Sequence, residues 1–145
     1  MKFKLIAFFL IFFSFNASAE IELSPQWTER YLFKHYPHFL KNSHTDHVLA
    51  FYYFGSYEDY TVMGMERVKG DDYSPYYTVL VFKNSRLQGF YKHVPVFPKG
   101  VNKTGFLTFP ANARVTDKVN LPAPPYAPVN FPEGPISYQT VEPHS

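Results

Sequence analysis

Residues Tyr76 to Val94 read YYTVLVFKNSRLQGFYKHV. Two runs rich in aromatic and β-branched residues flank Asn84-Ser85, and that spacing predicts an antiparallel hairpin. Asn tolerates the positive φ that a two-residue turn demands, although Ser stands where Gly is preferred. The turn sets a register in which Lys83 faces Arg86, Phe82 faces Leu87, Leu80 faces Gly89 and Thr78 faces Tyr91. Tyr76, Leu80, Phe82, Leu87 and Tyr91 then share one face, assigned to the core. Val79, Val81 and Phe90 lie on the other, among Lys83, Arg86, Gln88 and Lys92. That second face is partly apolar, open to cover by the C-terminal segment or to a partner.

Upstream, Val48–Phe54 (VLAFYYF) and Tyr60–Val68 (YTVMGMERV) read as two more strands joined by Gly55–Asp59, with Lys69–Pro75 as the next loop. Ser24-Pro25 reads as a helix start, Ser as N-cap and Pro at the first helical position. Trp27, Tyr31 and Leu32 or His35 repeat at helical spacing, and Pro37 stops the helix near Tyr36. Lys41–Asp46 is polar and reads as a loop. Downstream, Pro95, Pro98 and Pro110 break the pattern, leaving Gly105–Phe109 and Arg114–Leu121 as short edge strands. From Pro122 the chain reads PAPPYAPVNFPEGPISYQTVEPHS, which favours extended, polyproline-like backbone. The fold class expected is α+β: an N-terminal helix on an antiparallel meander of four to five strands, in a single domain over 20–121, with a Pro-rich extended tail over 122–145. The tail either wraps over its own sheet, burying Leu121, Tyr126, Val129 and Phe131, or docks on another protein. Its apolar spacing favours wrapping.

Residues 1–19 read as a secretory signal peptide: Lys2 and Lys4, the apolar run Leu5–Phe13, then Ala17-Ser18-Ala19 before Glu20. The run is too short for a membrane anchor. Export to a periplasmic or secreted location is therefore expected, with no membrane insertion after cleavage. The formal charge of +2 belongs to that leader: Lys+Arg falls from 14 to 12 without Lys2 and Lys4, while Asp+Glu stays at 12. A neutral chain lacks the basic footprint of nucleic-acid binding. The absence of Cys excludes disulfides and thiolate-held metals. Aromatic residues make up 20% of the chain, enough to supply a core without disulfides.

Two constellations stand out. In a meander, His44, Asp46 and His47 before the first strand, Asp71 and Asp72 in the second loop, and His93 at the end of the fourth strand gather at one end of the sheet. Imidazole and carboxylate suit a divalent metal or acid–base work. The second is aromatic: Tyr57, Tyr73, Tyr77 and Phe90 on the sheet and its loops, and Tyr126 and Phe131 in the tail, could present a binding surface. No GxSxG, SxxK, HExxH or phosphate-binding glycine loop occurs. The expected function is that of an exported, non-enzymatic binding or accessory protein for a protein or glycan, without a cofactor. The alternative is a metal-binding protein or hydrolase using the His/Asp end. Oligomeric state is left open by the sequence.

Overall fold

A computed structural model describes residues 23–142, so the leader read at 1–19 lies outside the described residues. Ser24 caps α1 (Pro25–His35), its Oγ accepting the Trp27 N–H at 3.1 Å, and Pro25 occupies the first turn, where no N–H is needed. Tyr36 ends the helix ahead of Pro37, and a 3-10 turn (Pro37–Leu40) follows. Then come β1 (Asp46–Tyr57), β2 (Tyr60–Lys69), β3 (Ser74–Lys83) and β4 (Arg86–Val94). Short strands complete the chain: β5 (Gly100–Val101), β6 (Phe106–Thr108), β7 (Val119–Asn120), β8 (Val129–Phe131), β9 (Gly134–Ile136) and β10 (Tyr138–Thr140).

The main sheet is antiparallel in the order β1-β2-β3-β4-β10. The expected meander is present, with β1 longer than read. It continues through Gly55 to Tyr57, so the expected five-residue connection shrinks to Glu58-Asp59, with Glu58 at φ 53. At the β3–β4 turn both Asn84 and Ser85 take positive φ (51 and 61), the geometry that matches sheet twist in a two-residue hairpin.

The predicted register holds only near the turn. Lys83 faces Arg86 and Phe82 faces Leu87, but Val81 then faces Gly89 and Val79 faces Tyr91. Gln88 is an extra residue in β4, a bulge. One extra residue moves the side chains that follow it to the opposite face, until a second irregularity before Val94 restores the alternation. Phe90 therefore packs on the helix side and Tyr91 on the other, the reverse of the sequence expectation.

Both faces of the sheet are covered. On one, Leu32, Tyr36 and Phe39 pack on Met63, Met65, Leu80, Phe82 and Leu87. On the other, Val62, Val79, Val81 and Tyr91 meet Leu107, Leu121, Val129 and Phe131 from the short strands. This explains the near-continuous burial of β2 and β3. The segment expected as an extended tail instead forms the β8–β9 hairpin and the strand β10, which joins β4 through Tyr138 opposite Tyr91.

Candidate functional site

α1 lies across the sheet with Trp27 and Tyr31 one turn apart, their rings stacked at 4.9 Å and both edge-on to Phe82 beneath. The Tyr31 hydroxyl accepts the Leu87 N–H at 3.0 Å, tying the helix to the start of β4. Between helix and strand opens a cleft of about 710 Å³. Trp27 and Tyr31 line it, with Arg30 and Lys34 from the helix, and Arg86 and Gln88 from β4. No carboxylate among the described residues lines it, and the Tyr36 hydroxyl on its wall donates to the Glu142 carbonyl at 3.0 Å. Among the described residues none of Arg30, Lys34 and Arg86 forms an ion pair, the single such pair being Arg67 with Asp46. Arg30 and Lys34 are four apart on one helix, a like-charge spacing that costs about 0.2–0.5 kcal/mol. Arg86 lies directly opposite Lys83, another like-charge pairing that weakens a hairpin. Lys83 itself sits 5.3 Å from the centre of the Tyr60 ring.

A second cleft, about 500 Å³, opens on the same side of the sheet. Its floor is a polar knot that sequence reasoning missed. Arg67, buried in β2, donates from Nε to Asp46 Oδ1 at 2.8 Å, and from its two terminal nitrogens to the carbonyls of Phe39 (2.8 Å) and Lys41 (2.6 Å). The Tyr76 hydroxyl donates to the same Asp46 carboxylate at 2.8 Å. Burial pushes the Asp46 carboxyl up, but the bonds from Arg67 and Tyr76 and the charges of Arg67 and Lys69 outweigh it and hold the group below its usual range. For Tyr76 burial and the Asp46 bond both push the hydroxyl up. His38, Lys41, Lys92 and Gln139 stand around this cleft.

The six residues expected to gather for a metal are distributed differently. Asp46 is engaged by Arg67 and Tyr76. Asp72 accepts a bond from Ser74, which holds its carboxyl low, and Asp71 and His44 are exposed. His47 on β1 meets the Tyr73 ring edge-on at 6.3 Å. His93 on β4 stacks on Tyr76 at 4.7 Å with φ 64, and burial, then Lys92 and Lys69, push its imidazole down toward the neutral form. Three ladder spacings, about 14 Å, separate the backbones of β1 and β4. Among the described residues no three His, Asp or Glu side chains converge as a metal ion requires.

The aromatic candidates divide by burial. Tyr77 lies in the core against Phe97 at 3.9 Å, and Phe131 packs edge-on to Phe109 at 5.2 Å, so both are spent on packing. Tyr126 donates to the Leu121 carbonyl at 2.7 Å and packs on Tyr138. Tyr57 ends β1 with its ring against Gly105, and its hydroxyl is raised by a bond to Glu58. Phe90 is half-buried, edge-on to Phe39 at 4.9 Å in the second cleft. Tyr73 alone of the six stands open, at 66% exposure. The first cleft was readable in outline: Trp27, Arg30, Tyr31 and Lys34 share one face of the predicted helix. Its other wall needed the strand-to-helix packing to be known.

A scan against protein-family models finds no match, and searches of curated proteins and of solved structures find none either.

Proposed function

We propose that this chain is an exported, non-enzymatic binding protein, periplasmic or secreted, whose ligand is an acidic glycan held in the cleft between α1 and β4. One observation carries the reading: Arg30, Lys34 and Arg86 line one cleft with the stacked rings of Trp27 and Tyr31, and among the described residues none of the three forms an ion pair. The like-charge placements weaken helix and hairpin slightly, so folding does not account for them. An anionic ligand would. The partly exposed Trp27 and Tyr31 supply flat apolar faces for a sugar ring, and Ser85 and Gln88 bring a hydroxyl and an amide among the cations, suited to a hydroxylated acid. Arg adds planar, bidentate recognition of carboxylate. No helix among the described residues is long and apolar enough to cross a membrane. The metal-or-hydrolase alternative finds no comparable support, since Asp46 is engaged by Arg67 and Tyr76.

The test is calorimetric titration with a galacturonic-acid tetrasaccharide, against a neutral galactose tetrasaccharide and a single-stranded oligonucleotide. The acidic sugar is expected to bind, and more weakly as salt rises. Arg30→Gln with Lys34→Gln is expected to weaken it about tenfold, equivalent to ~1.4 kcal/mol. Equal binding of the neutral sugar, or tighter binding of the oligonucleotide, would overturn the reading.

A further inference from the structure

We infer that the two clefts are subsites of one linear groove that takes an acidic oligosaccharide lengthwise, a conclusion that rests on the glycan reading above. The bulge at Gln88 sets this geometry. Beyond it, Phe90 and Lys92 follow Gln88 on the helix side of β4 by simple alternation. Gln88 lines the first cleft and Lys92 the second, about 13 Å apart along the strand. β10 and the residue after it repeat the pattern alongside: Val141, whose N–H donates to the Gln88 carbonyl, lines the first cleft, and Gln139, opposite Phe90, lines the second. The same strand pair therefore floors both.

The facing wall is equally continuous. α1 carries Arg30 and Lys34 at the first cleft, and the chain runs directly into the 3-10 turn and Lys41 at the second. Cations thus stand on both walls at each cleft, Lys34 and Lys41 on one side and Arg86 and Lys92 on the other. Among the described residues none of these forms an ion pair. Asp46 is the single carboxylate among the described residues lining either cleft, and its oxygens are already engaged by Arg67 and Tyr76. Phe39 and Phe90, edge to face at 4.9 Å, form the apolar part of the second cleft. Amides and hydroxyls stand among the cations at the second cleft as at the first, in Asn42, Ser43 and Gln139. A site for one small anion would need charge at one point. Here it recurs along a strand, as it would for a chain of acidic sugars.

The experiment compares galacturonic-acid disaccharide and octasaccharide on wild type and on the double variant Lys41→Gln/Lys92→Gln. Both lysines are exposed, so the fold should persist, which circular dichroism checks. The octasaccharide is expected to bind wild type at least about tenfold tighter than the disaccharide, through a second contact made at high effective concentration. The double variant should lose about tenfold for the octasaccharide and nothing for the disaccharide. If the variant leaves octasaccharide affinity unchanged, or weakens both ligands alike, the second subsite is refuted while the single-cleft reading stands. If neither acidic sugar binds wild type, both readings fall.

Discussion

Replacing Arg67 by Met keeps the length of the apolar stem and removes every donor of the guanidinium. Three bonds go at once: one to Asp46 and one each to the carbonyls of Phe39 and Lys41. Removing one partner of a fully buried ion pair costs about 3–5 kcal/mol, because the other charge is stranded. Asp46 is less enclosed than that, with 28% of its side chain exposed, and Tyr76 still donates to it. The lower end, about 3 kcal/mol, is therefore expected. Asp46→Asn leaves a neutral acceptor for the same bonds and should cost about 1–2 kcal/mol. The two changes act on one contact, so their cycle should show a coupling of about 1–2 kcal/mol. Urea unfolding followed by Trp27 fluorescence reads this directly, since Trp27 is the one Trp in the chain and packs on Phe82. Acid adds a sign. The Asp46 carboxyl is held below the unfolded value of 3.8, so its stabilisation is intact above that pH and disappears as pH falls through the folded value. The gap between wild type and Asp46→Asn should close in strong acid. An Arg67→Met cost below about 0.5 kcal/mol, or no coupling with Asp46→Asn, would refute the claim that this knot fastens the 3-10 turn to the sheet.

Three further outcomes follow from the packing. Burial pushes the hydroxyls of Tyr91, Tyr126 and Tyr138 well above the ordinary 10.0, so the stability they carry is complete below that pH and lost as pH rises beyond it; urea midpoints measured up the alkaline range should fall, and less steeply in Tyr138→Phe. In Gly89→Ala the new methyl would collide with the Tyr138 ring and the Gln139 carbonyl, displacing β10 at a cost of about 1–3 kcal/mol, read as lost amide-exchange protection at Tyr138–Thr140. Leu107→Ala, at a fully buried position beneath the short strands, should cost about 2–5 kcal/mol in the same urea assay, and a cost under 1 kcal/mol would deny the second core.

The local signals in the sequence were truthful wherever neighbours decide the backbone. Ser24-Pro25, Pro37 and Asn84-Ser85 each mark a boundary through φ restriction or capping, and the structure places α1 and the β3–β4 turn there. Periodicity failed at Gln88, because a bulge carries no composition of its own and a single extra residue exchanges the faces of Phe90 and Tyr91. It is silent about Arg67. A charged residue in an alternating strand reads as solvent-facing, and only the return of the 3-10 turn over β2 supplies the carbonyls that bury it. The segment after Pro122 was legible in part: Leu121, Val129 and Phe131 are buried over the sheet as its apolar spacing indicated, while short strands, with which prolines are also compatible, replace the extended chain. The first cleft was half visible, as the Trp27–Lys34 face of a helix, while Arg86 came to it through tertiary packing alone.

The position of β10 bears on how the molecule assembles. β4 gains its outer neighbour only after the chain has travelled through the whole layer of short strands and returned. Docking β10 thus closes one long loop, and in the same step it buries Tyr138 against Tyr91 and Tyr126. Two consequences are joined in that step. The pairing reaches from Gly89 to Thr140, so the entropy of loop closure weighs against its forming early. Until it forms, β4 offers a bare edge on which another chain can add. Completion of the sheet, cooperativity between its two cores, and protection from self-association are therefore one event, governed by a three-residue strand.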